Sequence, residues 1–163
     1  MKTLSVGIGC RLHASADEIE NAVRAALGPH AIEDIATVAS IETKADEAGL
    51  LEFCARHGLP LQLFSREQIA AIGVTHPSAA AREHAGVDGV CEPCALLGAL
   101  HAARQNLCVS SAAHDASPAS PAPAARTAQL IVGKTVCARV TVAIAAAQRT
   151  QAHSATLNQQ DLP

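Results

Sequence analysis

At 163 residues the chain is long enough for one hydrophobic core covered on both faces, and too short for two. A formal net charge of −3 and an aromatic content limited to Phe53 and Phe64 exclude base stacking on aromatic platforms and any general attraction to nucleic acid or anionic lipid. An anionic ligand would therefore have to be gathered by a few local groups, and no stretch approaches the length of a membrane span.

Thr3 to Ile8 reads as a buried strand running into Gly7-Ile8-Gly9. Its apolar part is too short for the core of a secretory signal, and Arg11 and His13 follow directly, so the expected location is the cytoplasm. Ser15 and Glu18 form a capping-box pattern, Ile19, Val23, Ala26 and Leu27 follow at helical spacing, and Gly28-Pro29 stops the helix. A second strand, Ile35 to Ile41, leads to a helix expected to be capped by Asp46. That helix carries Leu50, Leu51 and Cys54 on its apolar side and closes at Gly58. Pro60 to Phe64 reads as a short strand, and Ser65 to Gln68 as the next cap and first turn. Ser78 and Glu92-Pro93 mark two further helix starts.

Gln129 to Val132 and Arg139 to Ala145 read as a final pair of strands, with a hairpin expected around Gly133-Lys134. The strand–helix–strand–helix opening sets the class as α/β, and the closing pair makes the sheet mixed and mostly parallel. The expected organisation is one domain over residues 1–146. An Ala/Ser/Pro-rich insertion at about 110–126 interrupts it, and a polar tail follows at 147–163.

In open α/β sheets, ligands bind beyond the carboxyl ends of the strands, and three motifs are expected there. Gly7 and Gly9 permit close backbone approach beside Cys10, and Arg11 offers a fork to a carboxylate. A strand ending in glycine to pack against its helix explains the same residues. Lys44 precedes Asp46 and Glu47, two carboxylates that also suit the positive end of a helix. Glu92 is an acid/base candidate inside Cys91-Glu92-Pro93-Cys94. That cysteine spacing is found in thiol redox proteins and in half of a zinc site, but the second metal-type pair is missing and no metal is expected. Six unevenly spaced cysteines in an aliphatic chain suit reduced thiols.

Val6 to Arg11, Lys44 to Leu50, Gly89 to Pro93 and Val140 to Ala145, in that order, resemble a family of cobalamin (vitamin B12) biosynthesis. The family comprises the C-terminal domain of CbiG and its stand-alone form, CobE, and the resemblance to the stand-alone form is the greater. It implies a three-layer α/β/α fold and a part in making the corrin ring. In CbiG the whole protein opens a ring lactone of a cobalt-corrinoid precursor and releases acetaldehyde. The N-terminal domain that accompanies this one in CbiG is not among these 163 residues, so the resemblance implies the pathway rather than the hydrolysis.

The expected ligand is thus a corrin-ring tetrapyrrole intermediate. Gly7, Gly9, Cys10, Arg11, Lys44, Glu47 and Lys134 are read as its binding residues, and Glu92 and Asp46 as acid/base candidates for a hydrolase- or lyase-like step. No cofactor is expected, and other cobalamin-pathway enzymes are the expected protein partners. A non-catalytic carrier of the intermediate is the alternative, and a thiol redox protein using Cys91 and Cys94 a third reading.

Overall fold

The computed structural model describes residues 3–74, 77, 79–110 and 127–148. Residues 111–126 of the expected insertion and 149–163 of the expected tail lie outside them, as does Ser78.

Strand β1 (Leu4–Cys10) feeds helix α1 (Ala16–Leu27), whose start carries the expected capping box. The Ser15 N–H donates to Glu18 at 2.8 Å and the Glu18 N–H donates to Ser15 Oγ at 3.2 Å, satisfying two donors that a helix start leaves free. Strand β2 (Ile35–Ile41) follows, then a 3₁₀ turn (Glu42–Lys44) and helix α2 (Ala48–His57). The N-cap of α2 is Glu47, one residue beyond the expected Asp46: the 3₁₀ turn ends at Lys44, and the Glu47 N–H still bonds back to the Lys44 carbonyl before the helix opens. Strand β3 (Leu61–Phe64) and the short helices α3 (Arg66–Ala70) and α4 (Ala79–Ala85) lead to α5 (Cys91–Ser110).

The closing hairpin departs from expectation. Strand β4 (Thr127–Cys137) runs straight through Gly133-Lys134, and the turn into β5 (Val140–Gln148) lies at Ala138-Arg139, with Ala138 left-handed at φ 51°. Register irregularities between Leu130 and Thr135 absorb the glycine as a kink in an edge strand rather than a turn.

Among the described residues, five strands form one mixed sheet in the order β3-β2-β1-β5-β4. β1 pairs in parallel with β2 and β2 with β3, while β5 runs antiparallel to both β1 and β4. Four strands therefore point one way, and their carboxyl ends share one edge. Helices α1 and α2 cover one face, where Val6, Ile8, Ile19, Val23, Phe53, Val142 and Ile144 form a fully buried apolar core. Each such side chain contributes roughly 1.5–3 kcal/mol on leaving water.

Helix α5 covers the other face, where the sheet presents Gly7, Ala39, Ala143 and Ala145 to Cys91, Cys94, Ala95 and Ala99. A Cβ built on Gly7 would overlap the Cys91 carbonyl oxygen, so the absence of a side chain there sets how closely α5 approaches. This is the three-layer α/β/α architecture.

Candidate functional site

The sheet's order reverses between β1 and β5. From β1 the chain builds outward through β2 and β3, then returns through α5 to lay down β4 and β5 on the far side. Loops diverging at such a switch point leave a crevice beyond the strand ends. A cleft of about 870 Å³ occupies that position. Its wall comes from the end of β1 (Gly9, Cys10) with Arg11 and Leu12, the segment after β2 (Thr43, Lys44) and the start of α5 (Val90, Cys91, Glu92). Lys134 and Val136 of β4, Arg139 of the hairpin turn and Glu83 of α4 also line it.

Six of the nine residues singled out from sequence line this cleft: Gly9, Cys10, Arg11, Lys44, Glu92 and Lys134. Three do not. Gly7 lies beneath α5, where it serves packing. Asp46 is exposed outside the cleft and does not cap α2. Glu47 is buried behind the wall, 9% exposed, accepting the His13 N–H at 2.9 Å and facing Lys44 Nζ at 3.5 Å.

Arg139 lines the cleft and was missed by sequence reading, which placed it at the start of a strand. Its backbone carbonyl accepts the Arg11 N–H at 3.0 Å, joining the two arginine-bearing loops. Ala-Arg is not a turn-forming pair by composition, so no local signal marked it.

Among the described residues, four basic ones (Arg11, Lys44, Lys134, Arg139) and two acidic ones (Glu83, Glu92) line the cleft, in a chain whose overall charge is negative. Low-dielectric walls strengthen the field of such a group over that of the same charges on open surface. Apolar surface lies among them: Leu12 is 69% and Val136 65% exposed, so both present side chains that the fold itself does not bury.

Glu92 is 4% exposed, and its Oε1 accepts the Lys134 backbone N–H at 3.1 Å. The first turn of α5 is thereby tied to the irregular stretch of β4. Thr141 Oγ1 donates to the Gly9 carbonyl at 3.1 Å and fixes the start of β5 against the end of β1.

Cys91 and Cys94 are buried, and burial pushes both thiols up, the reverse of the lowering that a Cys-x-x-Cys helix start produces in oxidoreductases. Burial likewise raises Cys10 against the opposing field of Lys44. Among the described residues, no group of three or more His, Cys, Asp and Glu is placed to hold a metal ion.

These features define an α/β domain with a partly apolar cleft, lined by basic residues, at the switch point of its sheet. The family model described as "Cobalamin synthesis G C-terminus" matches residues 4–145, and the chain belongs to that family. It is 33% identical over 98 residues to a cobalt-precorrin-5A hydrolase of Priestia megaterium. That match covers 59% of this chain but only 26% of the hydrolase, so the chain spans about a quarter of the curated relative. The crystal structure of CobE, a protein from the cobalamin biosynthetic pathway, superposes with a TM-score of 0.69 at 25% identity, covering 90% of this chain and 93% of CobE. The cobalamin biosynthesis protein chiG of Agrobacterium tumefaciens gives a TM-score of 0.54 at 30% identity, over 88% and 97% of the two chains. Among the described residues, no helix is long and apolar enough to cross a membrane.

Proposed function

We propose that this chain binds a corrin-ring tetrapyrrole intermediate of cobalamin biosynthesis in the cleft at the carboxyl ends of β1, β2 and β4. The observation that carries the reading is the convergence of Arg11, Lys44, Lys134 and Arg139 around exposed Leu12 and Val136. Corrin precursors carry acetate and propionate groups around a flat apolar ring, so cations at the rim and aliphatic side chains against the ring suit both parts. The relative's name supplies a first ligand to test, cobalt-precorrin-5A.

Of the two acid/base candidates, Glu92 lines the cleft and Asp46 does not, so a hydrolase- or lyase-like step would run through Glu92. The carrier reading is supported by the engagement of Glu92 Oε1 with the Lys134 N–H, a structural task that does not require turnover. Other enzymes of the pathway are the partners in either case. Free thiols at Cys10, Cys54, Cys91, Cys94 and Cys137 suit a reducing cytoplasm.

The test is an absorbance titration with purified corrin-ring intermediates, cobalt-precorrin-5A first. The chain has no Trp or Tyr, so the chromophore bands stand nearly free of protein absorbance. Saturable, stoichiometric binding is expected. Losing one charge-assisted hydrogen bond costs about 1.5–3 kcal/mol, so Arg11→Ala should weaken binding roughly ten- to a hundredfold. Affinity should also fall as salt rises. If Arg11→Ala and Lys44→Ala both bind every intermediate as tightly as the parent, the cleft is not the site. Product formed under saturating conditions separates catalyst from carrier.

A further inference from the structure

We propose that Glu47 is a positioning residue whose carboxylate latches the Arg11 loop to the Lys44 turn, so that the two cations act on one ligand as a pair. The inference rests on the cleft being the corrin-binding site. Glu47 does not line the cleft, yet it is the buried charge through which the two cation-bearing segments meet. Its Oε1 accepts the His13 N–H at 2.9 Å across 34 residues of chain, while Oε2 faces Lys44 Nζ at 3.5 Å.

The latched loop would not hold this shape unaided. His13 is left-handed at φ 62°, a conformation disfavoured for a residue with a Cβ and kept only where surrounding contacts impose it. Two contacts impose it here. The carboxylate takes the His13 N–H, and the first turn of α2 rests on the next residue, since a Cβ on Gly49 would overlap the Ala14 carbonyl oxygen. Two residues back along the same loop, the Arg11 N–H holds the Arg139 carbonyl at 3.0 Å, which carries the constraint to a third cation. On the other oxygen, Lys44 keeps its ammonium against Glu47 with only 16% of its side chain exposed, aimed rather than swinging in solvent.

Two variants separate the latch from general destabilisation. Glu47→Gln keeps a carbonyl oxygen for His13 and loses the ion pair with Lys44, whereas Glu47→Ala loses both. In the free protein, backbone amide exchange at His13 should quicken about tenfold or more in Glu47→Ala and stay within roughly threefold of the parent in Glu47→Gln. In titrations with cobalt-precorrin-5A, the ten- to hundredfold loss expected of Arg11→Ala should shrink to about threefold or less when it is made on Glu47→Ala. On Glu47→Gln it should persist nearly whole, because residues acting through one network do not add. Strictly additive losses, or unchanged His13 exchange in Glu47→Ala, would overturn the latch. If Glu47→Ala fails to fold, Glu47→Asp, whose shorter carboxylate cannot span the same gap, takes its place in both measurements. Quickened exchange in a protein whose parent binds no corrin intermediate would uphold the latch and reject the cleft as the binding site.

Discussion

The two faces of the sheet are built from different side chains, and they do different work. Towards α1 and α2 the strands present Leu4, Val6, Ile8, Val38, Val140, Val142 and Ile144, all buried. Towards α5 the centre of the sheet presents the small residues Gly7, Ala39, Ala143 and Ala145, with the bulky Ile41 and Phe64 at the ends of β2 and β3. The first face gathers apolar area and supplies most of the stability. At its centre the second buries little area per residue but brings a 20-residue helix close against the strands, with Cys91 over Gly7. That closeness sets the height at which Glu92 meets Lys134 and at which Val90 and Cys91 form one wall of the cleft. One face therefore holds the fold together, and the other sets the geometry of the site.

Neighbouring positions on single strands test this division. Ile144, fully buried towards α1 and α2, should cost about 2–5 kcal/mol when truncated to alanine, since its removal leaves a cavity that the layer closes only in part. Thermal or denaturant unfolding measures the loss, and corrin affinity of the folded fraction should be unchanged. Gly7→Ala should cost about 3 kcal/mol or more, because the added Cβ meets backbone atoms of Cys91 and Ala95 and forces α5 outward instead of leaving a void. Its mark should be on binding, weakened out of proportion to stability as the α5 wall shifts. A Gly7→Ala protein that is destabilised but binds like the parent would break the comparison, for the small face would then be mere packing.

The same contrast shows what could be read from sequence. Period-two and helical spacing made the bulky face legible, as did the Ser15–Glu18 cap, which is a purely local device. β2 was read at Ile35 to Ile41 because four of its seven residues, Ile35, Thr37, Val38 and Ile41, are β-branched in a run too short for a helix. The errors lie where distant contacts overrode local preference. Asp46 is the better cap by type, but Glu47 stands at the N-cap while its carboxylate is engaged by His13, 34 positions away. Gly133-Lys134 looked like a turn, yet edge-strand pairing with β5 carries the chain through it and leaves the turn to Ala138-Arg139. Arg139 was hidden by the same slip. The cleft itself was legible as a set of strand ends; the latch behind it was not, because it exists only once two loops meet.

The smallest expected effect lies on the outer surface of the bulky-face helices. Glu20 of α1 accepts hydrogen bonds from Arg24 at 2.8 Å and from Arg56 of α2 at 3.1 Å, and lies 3.2 Å from His57 Nε2. Those partners, Arg24 first, hold its carboxyl at about 2, below the ordinary value of 4.5. A carboxylate lowered in the folded state stabilises the fold in full above its unfolded value, and that contribution fades as pH falls towards the folded one. The window therefore runs from about pH 4.5 down to about pH 2. Glu20→Gln should lower the midpoint of thermal unfolding slightly at pH 6, and the gap from the parent should close across that window. Added salt should narrow the gap at pH 6 as well, because the pairs lie at the surface and are screened. Far-UV circular dichroism suits the measurement in a chain without Trp or Tyr. A gap that stays constant from pH 6 to pH 2 would mean that the Glu20 cluster does not clamp α1 to α2, leaving the buried aliphatic layer to join them alone.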